Sequence, residues 1–423
     1  MNDRRKFVLK QLLEKGVAIP CPESVEIGPD VDPKRISGQG VTIHAGCRIF
    51  GSDTLIMPGV ELGYETPVTV DNCQIGKDVR LGGGFFCESC FLDGSAMGSG
   101  AQVREACLIE ERARGAHTVG LKHTILFPYV TLGSLINFCD CLMAGGTDEL
   151  NHCEVGSGYI HFNYTPNQDK ATASLIGDVP RGVMIRQRPV FLGGQGGMVG
   201  PVKISYGTVV GAGNIVRRDI LKEDTILISQ AAPNLSMPFN PGIYTNIRRI
   251  IIRNTDYIAN LIALRRWYLD IRCRLIRNDP EEQLLMKGAV DKLDTAIRER
   301  IRRLGQVAEK MPVSVKCSKD MSSGLLQKTA LQTQQDFSDN WAEMETVFQK
   351  NLEAPGNSEK REGFVKIIER VATEHGGNYL AVIRGLTQAE ADMGSEWLQG
   401  LVDQVVREVM AVMPGFRSHL KPA

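Results

Sequence analysis

Apolar residues return at every sixth position over a long stretch of this chain. In residues 191–220, FLGGQGGMVGPVKISYGTVVGAGNIVRRDI, they stand at Leu192, Met198, Ile204, Val210 and Val216. Gly193 and Gly211 directly follow two of them. A helix repeats every 3.6 residues and a strand every 2, so neither gives a period of six. A coil with three short faces does, each face supplying one inward apolar side chain, with Gly, Asn and Asp favoured at the turns. The same step recurs at Ile43, Ile49 and Leu55, at Ile75 and Leu81, and at Leu126, Leu132 and Phe138. Breaks at 63–67 and 165–172 read as excursions out of the coil. The pattern predicts an all-β parallel β-helix of hexapeptide repeats over residues 20–232, preceded by a helix within 1–19. Cys73, Cys90 and Cys107 are spaced by 17, about one coil. They are expected in one column as small core residues.

After Pro233, Pro238 and Pro241 the period changes. Ile243, Ile247, Ile250, Asn254, Tyr257, Leu261, Leu264, Tyr268, Ile271 and Leu275 alternate by 4 and 3. That is a heptad seam with one polar position, Asn254, and it predicts a long coiled-coil-like helix over 243–278. Eight arginines lie in the same segment, as a solvated or a basic binding face. Met286, Val290, Leu293, Ile297, Ile301 and Leu304 line a second long helix; residues 311–324 read as a linker. Helices near 325–352, 364–375 and 388–412 complete an all-α domain over 243–423, whose default role is scaffolding, oligomerisation or partner binding.

Composition narrows the function. The 423 residues suffice for two domains. Lys plus Arg equals Asp plus Glu, 49 each, so no overall charge argues for nucleic acid or an acidic membrane. The amino terminus has no signal-peptide core, and no run reaches the roughly 18 apolar residues a bilayer needs. A cytoplasmic protein is expected. Its eleven cysteines should then be thiols, with metal ligation the alternative; the lone C-x-x-C at Cys87 and Cys90 lacks the second pair of a structural zinc site, so no metal site is assigned.

Three segments carry a family resemblance. They are LLEKGVAIPCPESVEIGPDVD, VREACLIEERARGAHTVGLK, and GSGYIHFNYTPNQDKATASLIGD with the 191–220 stretch. Together they resemble the acetyltransferase half of the bifunctional glucosamine-1-phosphate acetyltransferase / N-acetylglucosamine-1-phosphate uridyltransferase family, over roughly residues 10–232. The resemblance implies a left-handed β-helix, a homotrimer with ligand sites between neighbouring β-helices, and acetyl-CoA or another acyl-CoA as co-substrate. The heptad seam suits a stalk of parallel helices leaving such a threefold body. Only about ten residues precede the linker helix, so a uridyltransferase domain and a pyrophosphorylase reaction are not expected.

The resemblance also assigns residues. Arg104 and Lys122, 18 apart, match the family's sugar-phosphate ligands; Asn163 and Tyr164 match its Asn-Tyr pair, and Lys170 the following Lys. Gly194 and Ala212 align with positions that meet coenzyme A. The family's catalytic His has no match. Counting forward from Lys122 reaches Ser134, and counting back from Asn163 reaches Asp140. The counts differ by six, which implies an insertion in or around GGTDELNHCEVG. Ser134, Asp140, His152 and His123 are the candidates for the base, with His117 and His161 behind them. Two functions follow. One is an acyltransferase acting on a sugar phosphate or nucleotide sugar. The other is a catalytically degenerate trimeric binding or scaffold protein of the same fold.

Overall fold

The computed structural model describes residues 3–228, 234, 236, 238–276, 279–320 and 328–419. After a helix at Asp3–Lys15 the chain winds into a parallel β-solenoid whose short strands stack in register from Glu26–Ile27 to Ile226–Leu227. The end expected at 232, and Pro233, lie outside the described residues. All five period-six residues from Leu192 to Val216 are buried.

Three faces make each coil. The first holds strands such as Ala101–Val103 and Ile160–Phe162. The second holds Gln74–Ile75, Cys90–Phe91 and Leu108–Ile109. The third is the ten-stranded ladder from Thr42–Ile43 to Ile226–Leu227. First and second faces merge into one sheet because Gly120–Leu126 and Asn137–Met143 run unbroken round their shared corner. His123 and Asp140 take the bend with φ of 47° and 61°. Asp and His tolerate this left-handed region better than most residues do.

The period shifts by one residue at the second face. Ile56 pairs with Ile75 on the inside, so Leu55, in register with Gln74 and Cys90, lies on the outer side. The cysteine column is corrected likewise. Cys73 and Cys107 share an inner column with Ser89, whose Oγ is 3.3 Å from the Cys73 sulfur. Cys90 sits one position further on, its thiol against the Leu285 carbonyl of a helix.

That helix explains why both residues of many second-face strands are buried, whereas third-face strands alternate. The helix Pro280–Asp320, about 60 Å long, lies along the solenoid over this face. Lys77 meets Glu282 at 2.5 Å near one end, and Lys310 donates to the Asn167 carbonyl at 2.8 Å near the other. Gly288 lies where the two surfaces touch: a Cβ there would stand 2.5 Å from the Gln74 side chain, which would have to move aside. The helix continues through Pro312 to Asp320, so residues 311–320 are not linker; Met311 and Val315 are buried on it, and burial of that face outweighs the one backbone bond proline removes. Residues 321–327 lie outside the described set.

The heptad seam has a different use from a stalk. From Ile247 to Ile271 all its positions but Ile250 are buried within this chain, on a central helix Ile247–Trp267 and the π-turn Tyr268–Arg272 that follows. Asn254 donates to the Ala171 carbonyl of the solenoid at 2.9 Å, fixing the helix to its own chain. Most of these arginines are paired within the chain rather than forming a solvated face or a basic patch; Arg274 is exposed beside Glu369, and Arg277 lies outside the described residues. Arg253 pairs with Asp219, Arg265 with Asp294, Arg266 with Asp270 and Arg272 with Glu111, while Arg248 stacks on Phe416. Helices Lys328–Asp339, Trp341–Leu352, Ser358–Glu374, Tyr379–Gly385 and Gln388–Val412 close the bundle. One continuous cluster of buried apolar residues runs through solenoid and bundle.

Arg272 anchors this contact, its guanidinium 3.7 Å from the Tyr379 ring centre and 4.8 Å from that of Tyr268. Beside it, Glu110 accepts from the Tyr268 hydroxyl at 2.5 Å. Burial, helped by the Glu111 carboxylate, pushes Glu110 up to about 7 against the pull of Arg272. Burial likewise raises Asp93 to about 6. A carboxyl raised in the fold holds its proton more tightly than in the unfolded chain. Its contribution is therefore full below the unfolded value near 4.5 and is lost as pH rises through 7. Thermal melts should show stability falling by on the order of 2 kcal/mol between pH 5 and 8. Glu110→Gln should flatten that slope; an unchanged slope would remove Glu110 from the account.

Candidate active site

The first face carries the predicted residues along its two margins. At the margin shared with the third face, backbone bonds stack His117, Ser134, Ser157 and Gly194 in successive coils: Leu135 N–H to His117 O, Gly158 N–H to Ser134 O, Gln195 N–H to Ser157 O and Gly213 N–H to Gly194 O. Ala212 is next in line. The turn is tight here, because a Cβ on Gly193 would stand 2.4 Å from the Ala212 nitrogen. At the margin shared with the second face lie Arg104 and Lys122, neighbours through the Arg104 N–H to Leu121 O bond. Arg104 is exposed, its guanidinium 5.9 Å from the Phe85 ring centre. Lys122 is tied to Glu105; burial alone would raise the Glu105 carboxyl, and the Lys122 bond together with a backbone N–H and the Lys122 charge holds it below its usual range. Tyr164 is exposed with the Lys170 ammonium 6.0 Å from its ring centre.

Strand register locates the insertion. Gly115 pairs with Leu132, 17 residues on, but Leu132 pairs with Val155, 23 residues on. The six extra residues (23 less 17) fall between Met143 and Glu154. The backward count from Asn163 crosses this loop and the forward count from Lys122 does not. Lengthened by six to span the extra residues, the backward count also ends at Ser134. Asp140 therefore drops out as the match to the family His.

An imidazole nevertheless reaches that position. His117, one coil before Ser134, shares a hydrogen bond with it, Nδ1 to Oγ at 2.9 Å. Sequence reasoning ranked His117 low; its signal was the 17-residue offset from Ser134. His152 lies in the inserted loop at the corner between second and third faces, off the first face, with its Nδ1 3.2 Å from the Cys153 carbonyl. His161 is buried, between the Cys139 carbonyl at 2.5 Å and the Ser174 hydroxyl at 2.8 Å.

Asp140 and His123 form a buried cluster instead. Asp140 Oδ1 is 3.3 Å from His123 Nδ1 and 2.7 Å from Arg300 of the long helix, and Asn163 donates to its Oδ2 at 3.0 Å. Burial alone would raise this carboxyl; Arg300 first, then His123 and Asn163, hold it well below the carboxylate range. An acid this weakly basic does not take a proton from an amine. Arg300 was not foreseen, since nothing in a heptad-like run marks one arginine as inward.

No family model matches the chain. It is 26% identical over 220 residues to the bifunctional protein GlmU of Lawsonia intracellularis, 27% over 217 to that of Pelobacter propionicus, and 24% over 212 to that of Thermotoga petrophila. Its relatives are GlmU proteins. The matches cover 50–51% of this chain and 42% of each GlmU, so the chain spans well under two thirds of those relatives. The parallel solenoid is consistent with the left-handed β-helix acetyltransferase half of GlmU. Among the described residues no helix is long and apolar enough to cross a membrane, and no group of three or more His, Cys, Asp or Glu is placed to hold a metal ion. All eleven cysteines are free.

Proposed function

We propose that this protein is an acyl-CoA-dependent transferase that acylates the amino group of a sugar phosphate or nucleotide sugar on the first face of its solenoid. The observation that carries this reading is the His117–Ser134 hydrogen bond of 2.9 Å at the position where the related family has its base. Ser134 holds the imidazole by Nδ1, leaving Nε2 to take the proton as the amine attacks the thioester carbonyl. Arg104 and Lys122 receive the phosphate, the planar fork of arginine matching its oxygens. They stand at the other margin of the face, on the order of 13 Å away along the strand, a span a sugar phosphate bridges with their long side chains. Tyr164 and Lys170 complete that margin, and Gly194 and Ala212 offer backbone groups to coenzyme A. Asn163 positions Asp140 and, through its carbonyl, Thr172.

A homotrimer fits the same reading. Ile160, Phe162 and Val199 expose apolar surface on the first face, which a second β-helix would cover while closing the site. Release of coenzyme A thiol from acetyl-CoA, with glucosamine 1-phosphate or UDP-glucosamine as acceptor, tests the proposal. Turnover with either, reduced tenfold or more in Arg104→Gln, is expected. Ligand binding without thiol release would replace the transferase by a sugar-phosphate-binding scaffold.

A further inference from the structure

A second site lies on the opposite side of the solenoid. Where the second and third faces meet, the wall and the Tyr379–Gly385 helix enclose a cleft of about 950 Å³. Arg80, Arg112, Arg114 and Arg384 line it. Arg80 and Arg114 flank Ala96 in the strand ladder, which leaves a low floor between two guanidinium groups. Arg384 reaches in from the helical side, donating to the Tyr129 hydroxyl at 2.7 Å and the Thr147 carbonyl at 3.0 Å.

Among the described residues, the carboxylate paired with these arginines is Glu149. Its Oε1 is 2.5 Å from Arg112 and 3.4 Å from Arg114. Glu149 belongs to the six-residue insertion, which leaves the coil at Gly145 and Gly146, with φ of 129° and 88° that favour glycine. The next residue, Leu150, is 97% exposed, so its side chain does not anchor the loop tip. Most other acids of the wall are engaged. Glu111 binds Arg272, Asp93 accepts from the Lys77 N–H, and Asp148 accepts from the N–H groups of Leu150 and Asn151. With Glu149 withdrawn, the four guanidinium groups share the cleft with Asp78 and with the already engaged Asp93, Glu111 and Asp148.

We infer that this cleft binds a small phosphate monoester, and that Glu149 occupies the arginine fork as a displaceable internal substitute. One carboxylate satisfies two of the four arginines; a phosphate, with three terminal oxygens and up to two charges, engages Arg112 and Arg114 together with Arg80 or Arg384. The inference does not depend on acyl transfer, because the cleft shares no residue with the first face.

Calorimetry of the full chain with inorganic phosphate, at constant ionic strength, tests it. Glu149→Gln should tighten phosphate binding about tenfold by removing the competitor, and Arg112→Gln/Arg114→Gln should abolish it. All of these side chains are half-exposed, and unchanged thermal melts check that the variants fold. Arg104→Gln/Lys122→Gln should leave the cleft's binding intact, which separates it from phosphate taken up on the first face. Unaltered phosphate binding in both Glu149→Gln and the double arginine variant would overturn the inference. Malonate binding as tightly as phosphate would overturn the assignment of a phosphate monoester.

Discussion

Replacing Arg300 by methionine is expected to cost the fold about 3–5 kcal/mol. Arg300 is 2% exposed and Asp140 1%, and their charged atoms are 2.7 Å apart across the contact between helix and solenoid. The contact is Coulombic rather than a directed bond, since neither Arg300 Nη2 nor Asp140 Oδ1 has an aligned hydrogen-bond partner. Such a pair returns little beyond the cost of drying both ions, yet removing one partner leaves the other charged and buried. His123 and the single Asn163 bond do not replace a guanidinium. Arg300 also donates to the Lys170 carbonyl at 3.2 Å, which would lose that donor. Urea unfolding of Arg300→Met should show the full loss. The double variant Arg300→Met/Asp140→Leu should recover most of it, because no unpaired charge remains. A single-variant loss under about 1 kcal/mol would mean that water reaches the pair. The pair's stability is present above the ordinary carboxyl value of 3.8 and is lost as pH falls through the lowered one.

Glutamine at His117 is expected to lower kcat by about 10²–10⁴-fold, the usual share of a positioned general base. His117 is exposed and its side chain bonds only at the surface, to Ser134, so thermal stability should move little. Glutamine keeps a hydrogen bond to Ser134 but cannot take the amine proton at neutral pH. The double variant His117→Gln/Ser134→His restores an imidazole at the neighbouring coil and should recover part of the rate. Wild-type turnover in His117→Gln would assign proton removal elsewhere. His123 is the next candidate, held by Asp140 at 3.3 Å.

Much of the solenoid was legible in the residues. Period six cannot be satisfied by a helix or a flat strand, so Leu192 to Val216 specify a three-sided coil without any tertiary information. Arg104 and Lys122 were legible as neighbours because one coil is a fixed number of residues. The six-residue insertion was legible as a mismatch of two counts, and its place in or around GGTDELNHCEVG agrees with the strand register, which puts the extra residues between Met143 and Glu154. The second face also had a signal that went unread. Its strands carry apolar or small residues at both positions, as in Leu108–Ile109 and Cys90–Phe91, and a sheet face open to water alternates instead.

The heptad seam shows the limit from the other side. A stripe of Ile, Leu and Tyr at 4 and 3 spacing states that one side of a helix is dry, and not what dries it. A partner helix in trans and a solenoid in cis present the same apolar surface to that stripe. The outcome was decided by groups far apart in the chain, such as Asn254 with Ala171 and Arg300 with Asp140. Local periodicity fixed the coil, the helices and the residues stacked along each corner, because neighbours in a repeat meet at constant spacing. Only the tertiary structure decided that His117 meets Ser134, that the bundle covers the second face, and that Glu149 lies on two arginines, because directed contacts between charged or hydrogen-bonding side chains leave no period in the sequence.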